Sequence, residues 1–198
     1  MSGRRAAGLC ATLRGQLGGL QDHAGAWQQA VAYPVAQHPL PDRLATLAHM
    51  IDIGLPLKVV AMDANGGYDT HEDQAATLSE NLGLLSATLA AFQADLEARG
   101  IADRVLVHVW SEFGRRPEAN GSGTDHGAGG ASLIMGTRAN GQMVGEFPGL
   151  ATLDEDDNLR HTVDFRAVYR GLAEQWLGVS ADGIVPDASS FAPPALVR

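Results

Sequence analysis

The sequence has a single cysteine, few basic residues and no long apolar run. Cys10 is the only cysteine in 198 residues, so an intrachain disulfide and a thiolate-rich zinc site are both excluded. Fourteen Lys and Arg residues stand against 23 Asp and Glu, and the net charge of −9 argues against a broad nucleic-acid surface, which needs clustered cations. No segment approaches the roughly 20 apolar residues that span a bilayer. Any metal site must therefore use oxygen and nitrogen ligands.

The amino-terminal residues carry only a faint export pattern. Arg4 and Arg5 precede an apolar run from Ala6 to Leu13, but Arg14 interrupts that run after about eight residues, and no clear cleavage pattern follows. We therefore find no convincing signal peptide in the chain, and its residues leave the compartment open.

The composition that remains is that of an ordinary folded domain. Hydrophobic residues make up 45% of the chain, and 24 glycines indicate many sharp turns. The length fits one domain. We expect a helical or irregular segment over residues 1–40, an α/β domain over residues 41–180, and an irregular tail over residues 181–198.

Hydrophobic patterns predict alternating helices and buried strands. Helices are expected at residues 41–53, at the leucine-rich stripe from Leu78 to Leu96, and at residues 162–177. Short apolar runs predict strands at residues 57–62, 105–110 and 132–135. A strand, a helix and a second strand in this order are typical of a crossover unit, so we expect a mostly parallel sheet flanked by helices.

Polar residues gather where the predicted strands end. Asp69 and His71 follow the first strand, Glu112 follows the second, and Asp125 and His126 lie in the glycine-rich loop before the third. In parallel α/β sheets the carboxyl ends of strands meet at one edge, where ligands bind. Carboxylate and imidazole groups are the donors that Zn²⁺ or Mn²⁺ would use. The pattern therefore predicts a divalent metal site.

Each of these groups also has a simpler explanation. Asp69 or Thr70 could cap the helix that follows. Glu112 could form a structural ion pair with Arg115 or Arg116. Residues 120–125 could be a flexible surface loop or an irregular calcium loop, although they lack the acidic spacing of an EF-hand.

Four motifs in a fixed order resemble one known family. They are GGYDTH at residues 66–71, WSEFGRR at residues 110–116, NGSGTDHG at residues 120–127 and VDFRAVY at residues 163–169. Together they resemble the family called domain of unknown function 1501, a branch of the alkaline phosphatase and sulfatase superfamily. The resemblance runs from about residue 41 to residue 178. It implies an alkaline-phosphatase-like fold of which this chain carries only the carboxyl-terminal half.

The resemblance also implies roles for individual residues. Asp69, His71 and His126 resemble ligands of one ion. Glu112 takes the place where relatives carry the Asp of an Asp-His pair for a second ion, but Phe113 follows it instead of His, so a second ion would need Asp125. Arg115 resembles a group that holds an anionic substrate, since guanidinium offers two parallel donors to phosphate or sulfate.

The nucleophile of such enzymes lies upstream of every motif recognised in this sequence. Two functions therefore remain open: a metal-dependent hydrolase of phosphate or sulfate esters, and a non-catalytic metal-binding or partner-binding domain. A sheet without its first strands would expose an apolar edge, which predicts self-association. Relatives often carry export signals, so the resemblance suggests an exported or periplasmic protein.

Overall fold

The computed structural model describes residues 30–64 and 66–198, and the helices expected before residue 30 lie outside them. The described chain contains three α-helices and two small sheets. The helices are α1 (Leu40–Asp52), α2 (Gln74–Ala98) and α3 (Phe165–Gly171). The strands are β1 (Val107–Val109), β2 (Gly114–Ala119), β3 (Thr124–Gly127) and β4 (Leu133–Met135).

The main hydrophobic core lies between α1 and α2. Pro41 stands in the first turn of α1, where its missing N–H costs no hydrogen bond, and Leu44 and Ala48 are buried on its inner face. On α2 the buried side chains are Leu85, Thr88, Phe92, Asp95 and Leu96, spaced three and four apart. These residues lie in the second half of the helix, and Leu82, expected on the same stripe, is half exposed. The buried half of α2 therefore holds the helix against α1, and its more exposed first half adjoins the loop that carries Asp69 and His71, where Asn81 donates to the Gly67 carbonyl.

A buried charge joins the two long helices. The Asp95 side chain is fully buried, and its carboxylate accepts hydrogen bonds from Arg99 Nε at 2.8 Å and from the Tyr33 hydroxyl at 3.1 Å. Arg99 also donates to Asp52 at the end of α1, at 2.8 Å. Burial, together with the nearby Asp95 charge, raises the pKa of Tyr33 above its ordinary value. Because Asp95 has partners for its charge, its burial is tolerated.

The expectation of a mostly parallel, alkaline-phosphatase-like sheet is wrong for this structure. β1 pairs with β4 in antiparallel register, with Val107 opposite Met135 and Val109 opposite Leu133, and the second sheet is also a two-stranded antiparallel pair. The physical reason lies in the connection: a parallel pair needs a crossover, usually a helix, whereas the chain between β1 and β4 folds into a hairpin. Hydrophobic runs indicate that a strand is buried, but they do not determine its partner.

The first predicted strand is also not part of a sheet. Residues 55–64 form no helix or strand, and Val59 and Val60 are exposed. Within the part of the chain that the structure describes, this apolar segment forms no hydrogen-bonded ladder with a strand. The flanking-helix arrangement expected around a large sheet therefore does not form.

The glycine-rich loop expected between the second and third predicted strands contains an ordered hairpin. β2 and β3 pair with Arg115 opposite His126, and the register is irregular between Arg115 and Ala119. The turn closes through a hydrogen bond from the Asn120 N–H to the Gly123 carbonyl at 3.0 Å. The hairpin therefore fixes Arg115 and His126 on the same face, since residues opposite each other in an antiparallel pair point the same way.

The last helix anchors the carboxyl-terminal residues. Asp164 caps α3 by accepting a hydrogen bond from the Arg166 N–H at 2.8 Å. A short π-helix, Leu172–Trp176, follows α3 directly. Ala181, Val185 and Ala188 are buried beside Ala173 in a second, smaller core. Among the described helices, none has the length and apolar character needed to cross a bilayer.

Candidate metal centre

The candidate site is built by two segments that meet beside the start of α2. The first is the loop that carries Asp69 and His71. The second is the β2–β3 hairpin, which carries His126 as the third residue of β3. The Ser122 carbonyl at the hairpin turn accepts a hydrogen bond from the Gln74 N–H at 3.0 Å, and the Ser122 hydroxyl accepts one from the Asp73 N–H at 2.9 Å. The hairpin therefore supplies the cap of α2.

This capping geometry excludes one alternative from the sequence. The helix begins at Gln74 with Asp73 as its cap residue, so neither Asp69 nor Thr70 caps it. Thr70 is instead a buried link between segments. Its hydroxyl accepts a hydrogen bond from the Gln74 side chain at 3.1 Å and one from Arg115 at 3.3 Å.

Three potential ligand atoms converge at the surface. Asp69 Oδ1 lies 2.6 Å from His126 Nε2 and 3.0 Å from His71 Nε2. One donor atom from each of the three residues lies within 4.8 Å of the others. Two opposite ligands of one ion with bonds of about 2.1 Å are about 4.2 Å apart, so only small side-chain movements separate this arrangement from a coordination shell. Asp69, His71 and His126 are therefore positioned to hold a metal ion.

The electrostatics of the three residues suit cation binding. The hydrogen bond from His126 holds the pKa of Asp69 below its usual range, and the charges of His126 and His71 act in the same direction. The carboxylate is therefore ionised at neutral pH. All three side chains are about half exposed, so an ion could enter from solvent.

Phe113 supports the third ligand. Its ring stacks on the imidazole of His126 with centroids 3.8 Å apart and planes inclined by 8°. The Arg115 guanidinium also lies over the Phe113 ring, with its central carbon 5.1 Å from the ring centre. In the sequence, Phe113 is notable only because it takes the place of an expected histidine. No sequence pattern predicts that its ring stacks on His126.

Arg115 ties the two segments of the site together. Its terminal nitrogens donate to the Thr124 carbonyl in the hairpin at 2.6 Å and to the Tyr68 carbonyl in the loop at 2.7 Å. The same guanidinium lies 3.9 Å from Asp69 Oδ1. Much of its hydrogen-bonding capacity is thus used by the protein, whereas the sequence suggested that it holds a substrate anion.

Asp125 and Glu112 lie apart from the three-residue group. Asp125 Oδ1 is 3.4 Å from His71 Nδ1, the ring nitrogen that faces away from Asp69. Glu112 is exposed, and among the described residues it forms no ion pair with Arg115, Arg116 or any other cation. Of the five predicted ligands, the structure therefore brings together Asp69, His71 and His126. Asp125 lies on the far side of the His71 ring, and Glu112 is exposed to solvent.

Comparison with known proteins identifies the family. The profile of a family described as "protein of unknown function (DUF1501)" matches residues 46–170, which is more than half of the chain. The chain belongs to the DUF1501 family. The matched range contains all three residues of the candidate metal centre, so the site belongs to the part of the chain that defines DUF1501 membership. No curated protein and no solved structure matches the chain.

Proposed function

We propose that this chain binds one divalent metal ion through Asp69, His71 and His126, and that the ion serves the hydrolysis of phosphate or sulfate esters. The proposed metal binding rests on the convergence of one carboxylate and two imidazole donors, whose ligand atoms lie within 4.8 Å of one another. Three protein ligands leave further positions of the ion open, which is typical of catalytic rather than structural sites.

The donor set favours Zn²⁺ or Mn²⁺. Imidazole suits Zn²⁺ and carboxylate suits both ions, but two histidines with one carboxylate also hold non-haem iron, so elemental analysis must identify the metal. A bound divalent ion would polarise the oxygens of an ester and stabilise charge that develops in the reaction. The ester class, and the assignment to the alkaline phosphatase and sulfatase superfamily, rest on the resemblance of the four sequence motifs.

A non-catalytic metal-binding domain is the second candidate. Within the described residues, no Ser or Thr hydroxyl forms a hydrogen bond with His71 or His126, and the Thr70 hydroxyl is already engaged by Gln74 and Arg115. A nucleophile activated by a neighbouring base would show such a contact. This observation favours metal binding without turnover by the chain alone.

Measuring the metal content of the purified protein tests the proposed binding site. We expect protein purified without chelator, or reloaded with Zn²⁺ or Mn²⁺, to contain close to one ion per chain. His126→Ala should weaken binding by at least about 100-fold, because a direct ligand matters more than the outer partners that contribute about 10- to 100-fold. His161→Ala, which removes an exposed histidine outside the group, is the matched control. Equal metal content in both variants would refute the site.

Turnover then distinguishes the two candidates. The metal-loaded chain should be assayed with an aryl phosphate and an aryl sulfate. Hydrolysis that His126→Ala abolishes and His161→Ala preserves would establish the hydrolase, whereas metal uptake without turnover would establish the non-catalytic domain.

A further inference from the structure

The imidazole of His71 lies between two carboxylates. Its Nε2 is 3.0 Å from Asp69 Oδ1, and its Nδ1 is 3.4 Å from Asp125 Oδ1. The two contacts use opposite sides of the ring, so Asp125 approaches the nitrogen that an ion held by Asp69 and His126 would leave unused. Asp125 is accordingly absent from the set of converging donor atoms.

We propose that Asp125 is a positioning residue, which accepts a hydrogen bond from His71 Nδ1–H and thereby keeps Nε2 directed at the metal ion. The inference rests on the proposed metal binding by Asp69, His71 and His126. An isolated histidine can present either ring nitrogen to a metal, and the hydrogen bond made by the other nitrogen decides which one it presents.

Asn120 holds the Asp125 carboxylate in place. Its side-chain amide donates to Asp125 Oδ1 at 2.6 Å. The backbone N–H of Asn120 also closes the hairpin turn through the Gly123 carbonyl. Asn120, Asp125 and His71 are thus connected by successive polar contacts. Asn120, at the start of the turn, fixes the carboxylate of Asp125, which follows the turn.

The proposed hydrogen bond would require His71 Nδ1 and Asp125 Oδ1 to approach each other by a few tenths of an ångström. A separation of 3.4 Å exceeds the usual range of about 2.7–3.2 Å for such a hydrogen bond. Asp69 Oδ1 and His71 Nε2 are now closer than two ligands of a tetrahedral ion, which are about 3.4 Å apart with bonds of about 2.1 Å. An ion would therefore separate them by a few tenths of an ångström. Both His71 and Asp125 are about half exposed, so their side chains have room to adjust.

The test compares Asp125→Ala with Glu118→Ala in otherwise full-length protein. Both substitutions remove one negative charge from the same hairpin, but Glu118 is exposed on β2 and, within the part of the chain that the structure describes, forms no ion pair with the site. Isothermal titration with Zn²⁺ should show affinity reduced about 10- to 100-fold in Asp125→Ala and unchanged in Glu118→Ala. Asn120→Ala should weaken binding in the same direction but less, and Asp125→Asn should restore part of the affinity, because its amide oxygen can still accept a hydrogen bond.

Nuclear magnetic resonance of the imidazole nitrogens gives a readout that mere stability would not change. In the Zn²⁺-loaded wild type, His71 should bind through Nε2 and show a protonated Nδ1 with slowed exchange. In Asp125→Ala that signal should be lost, or the ring should bind through Nδ1. Should Asp125→Ala fail to fold, Asn120→Ala and Asp125→Asn carry the same comparison.

The outcomes separate the two proposals. If the wild type does not bind Zn²⁺, the metal site and the role of Asp125 both fail. If the wild type binds Zn²⁺ and Asp125→Ala matches Glu118→Ala in affinity and in the His71 spectrum, only the positioning role fails. If X-ray absorption shows one oxygen ligand fewer in Zn²⁺-loaded Asp125→Ala, Asp125 is a direct ligand and the positioning role is overturned.

Discussion

The carbonyl group of His71 packs directly against the α-carbon of Gly123, so that a Cβ at position 123 would overlap it. This contact sets the distance between the loop that carries Asp69 and His71 and the hairpin that carries His126. This close approach of two backbones, together with the hydrogen bonds of Arg115 to both segments, allows the three donor atoms to converge.

We therefore expect Gly123→Ala to push the two segments apart. Overpacking of this kind costs about 1–3 kcal/mol of unfolding free energy, and Zn²⁺ affinity should fall by at least about tenfold, since small displacements of ligands disturb a site. Gly67→Ala is the control, because Gly67 lies in the same loop but a Cβ there meets no atom within 4 Å. Thermal denaturation and metal titration measure both effects. Equal behaviour of the two variants would contradict the account.

Replacement of Arg115 tests whether this residue holds the site together or holds a substrate. Arg115→Lys keeps the charge but cannot donate to the Tyr68 and Thr124 carbonyls at once, because an ammonium lacks the planar fork of guanidinium. We expect lower Zn²⁺ affinity and lower stability, by about 1 kcal/mol, because two partly buried carbonyl groups can no longer share one donor. Arg116→Lys should change neither, because among the described residues the Arg116 guanidinium donates to the exposed carbonyl of Asp156 and not to the site. A raised KM for an aryl ester with unchanged metal affinity would instead support anion binding.

The cap of α3 should produce a defined pH dependence. The hydrogen bond from the Arg166 side chain lowers the pKa of Asp164 to about 2, and the Arg166 N–H and charge act in the same direction. Because the folded pKa lies below the unfolded one, the carboxylate stabilises the fold above about pH 4, and this contribution is lost as the pH falls toward 2.

Asp164→Ala should therefore lower the free energy of unfolding at pH 7 by about 1 kcal/mol, as expected for a lost helix cap. The difference from wild type should shrink in urea titrations between pH 4 and pH 2. Asp103→Ala removes an exposed carboxylate from a short 3₁₀ turn and serves as the control. A difference that stays constant with pH would show that the carboxylate charge does not matter.

Self-association is the remaining proposal from the sequence. Val59 and Phe147 are each more than 70% exposed, and such apolar side chains favour contact between copies. We expect the average mass from light scattering to rise with concentration, and Val59→Ser or Phe147→Ser to reduce the rise. Lys58→Ser, a change in an exposed neighbour that is already polar, should leave it unchanged. A constant monomer mass in the wild type would refute the proposal.

The helices were the part of the fold most open to sequence reasoning. The expected helix at residues 41–53 is α1, and the leucine stripe from Leu78 to Leu96 lies within α2, although it is buried only from Leu85 onward. Both predictions rest on local rules, namely helical periodicity ended by a glycine, with a proline at the start of the first helix. The strands were located near β1 and β4, but their parallel pairing was wrong, because pairing depends on the path of the chain between them.

The sequence by itself determined the main chemical groups that this protein can offer a cation. With one cysteine, it cannot build a thiolate-rich site, and its motifs supply the carboxylate of Asp69 and the imidazoles of His71 and His126. The tertiary structure decided how those groups are used. It brought three donor atoms together, turned Asp125 to the far nitrogen of His71, and used Arg115 to join the loop to the hairpin. These roles depend on the antiparallel register and on the contact of Gly123 with His71, which are long-range relations that no local pattern of residues encodes.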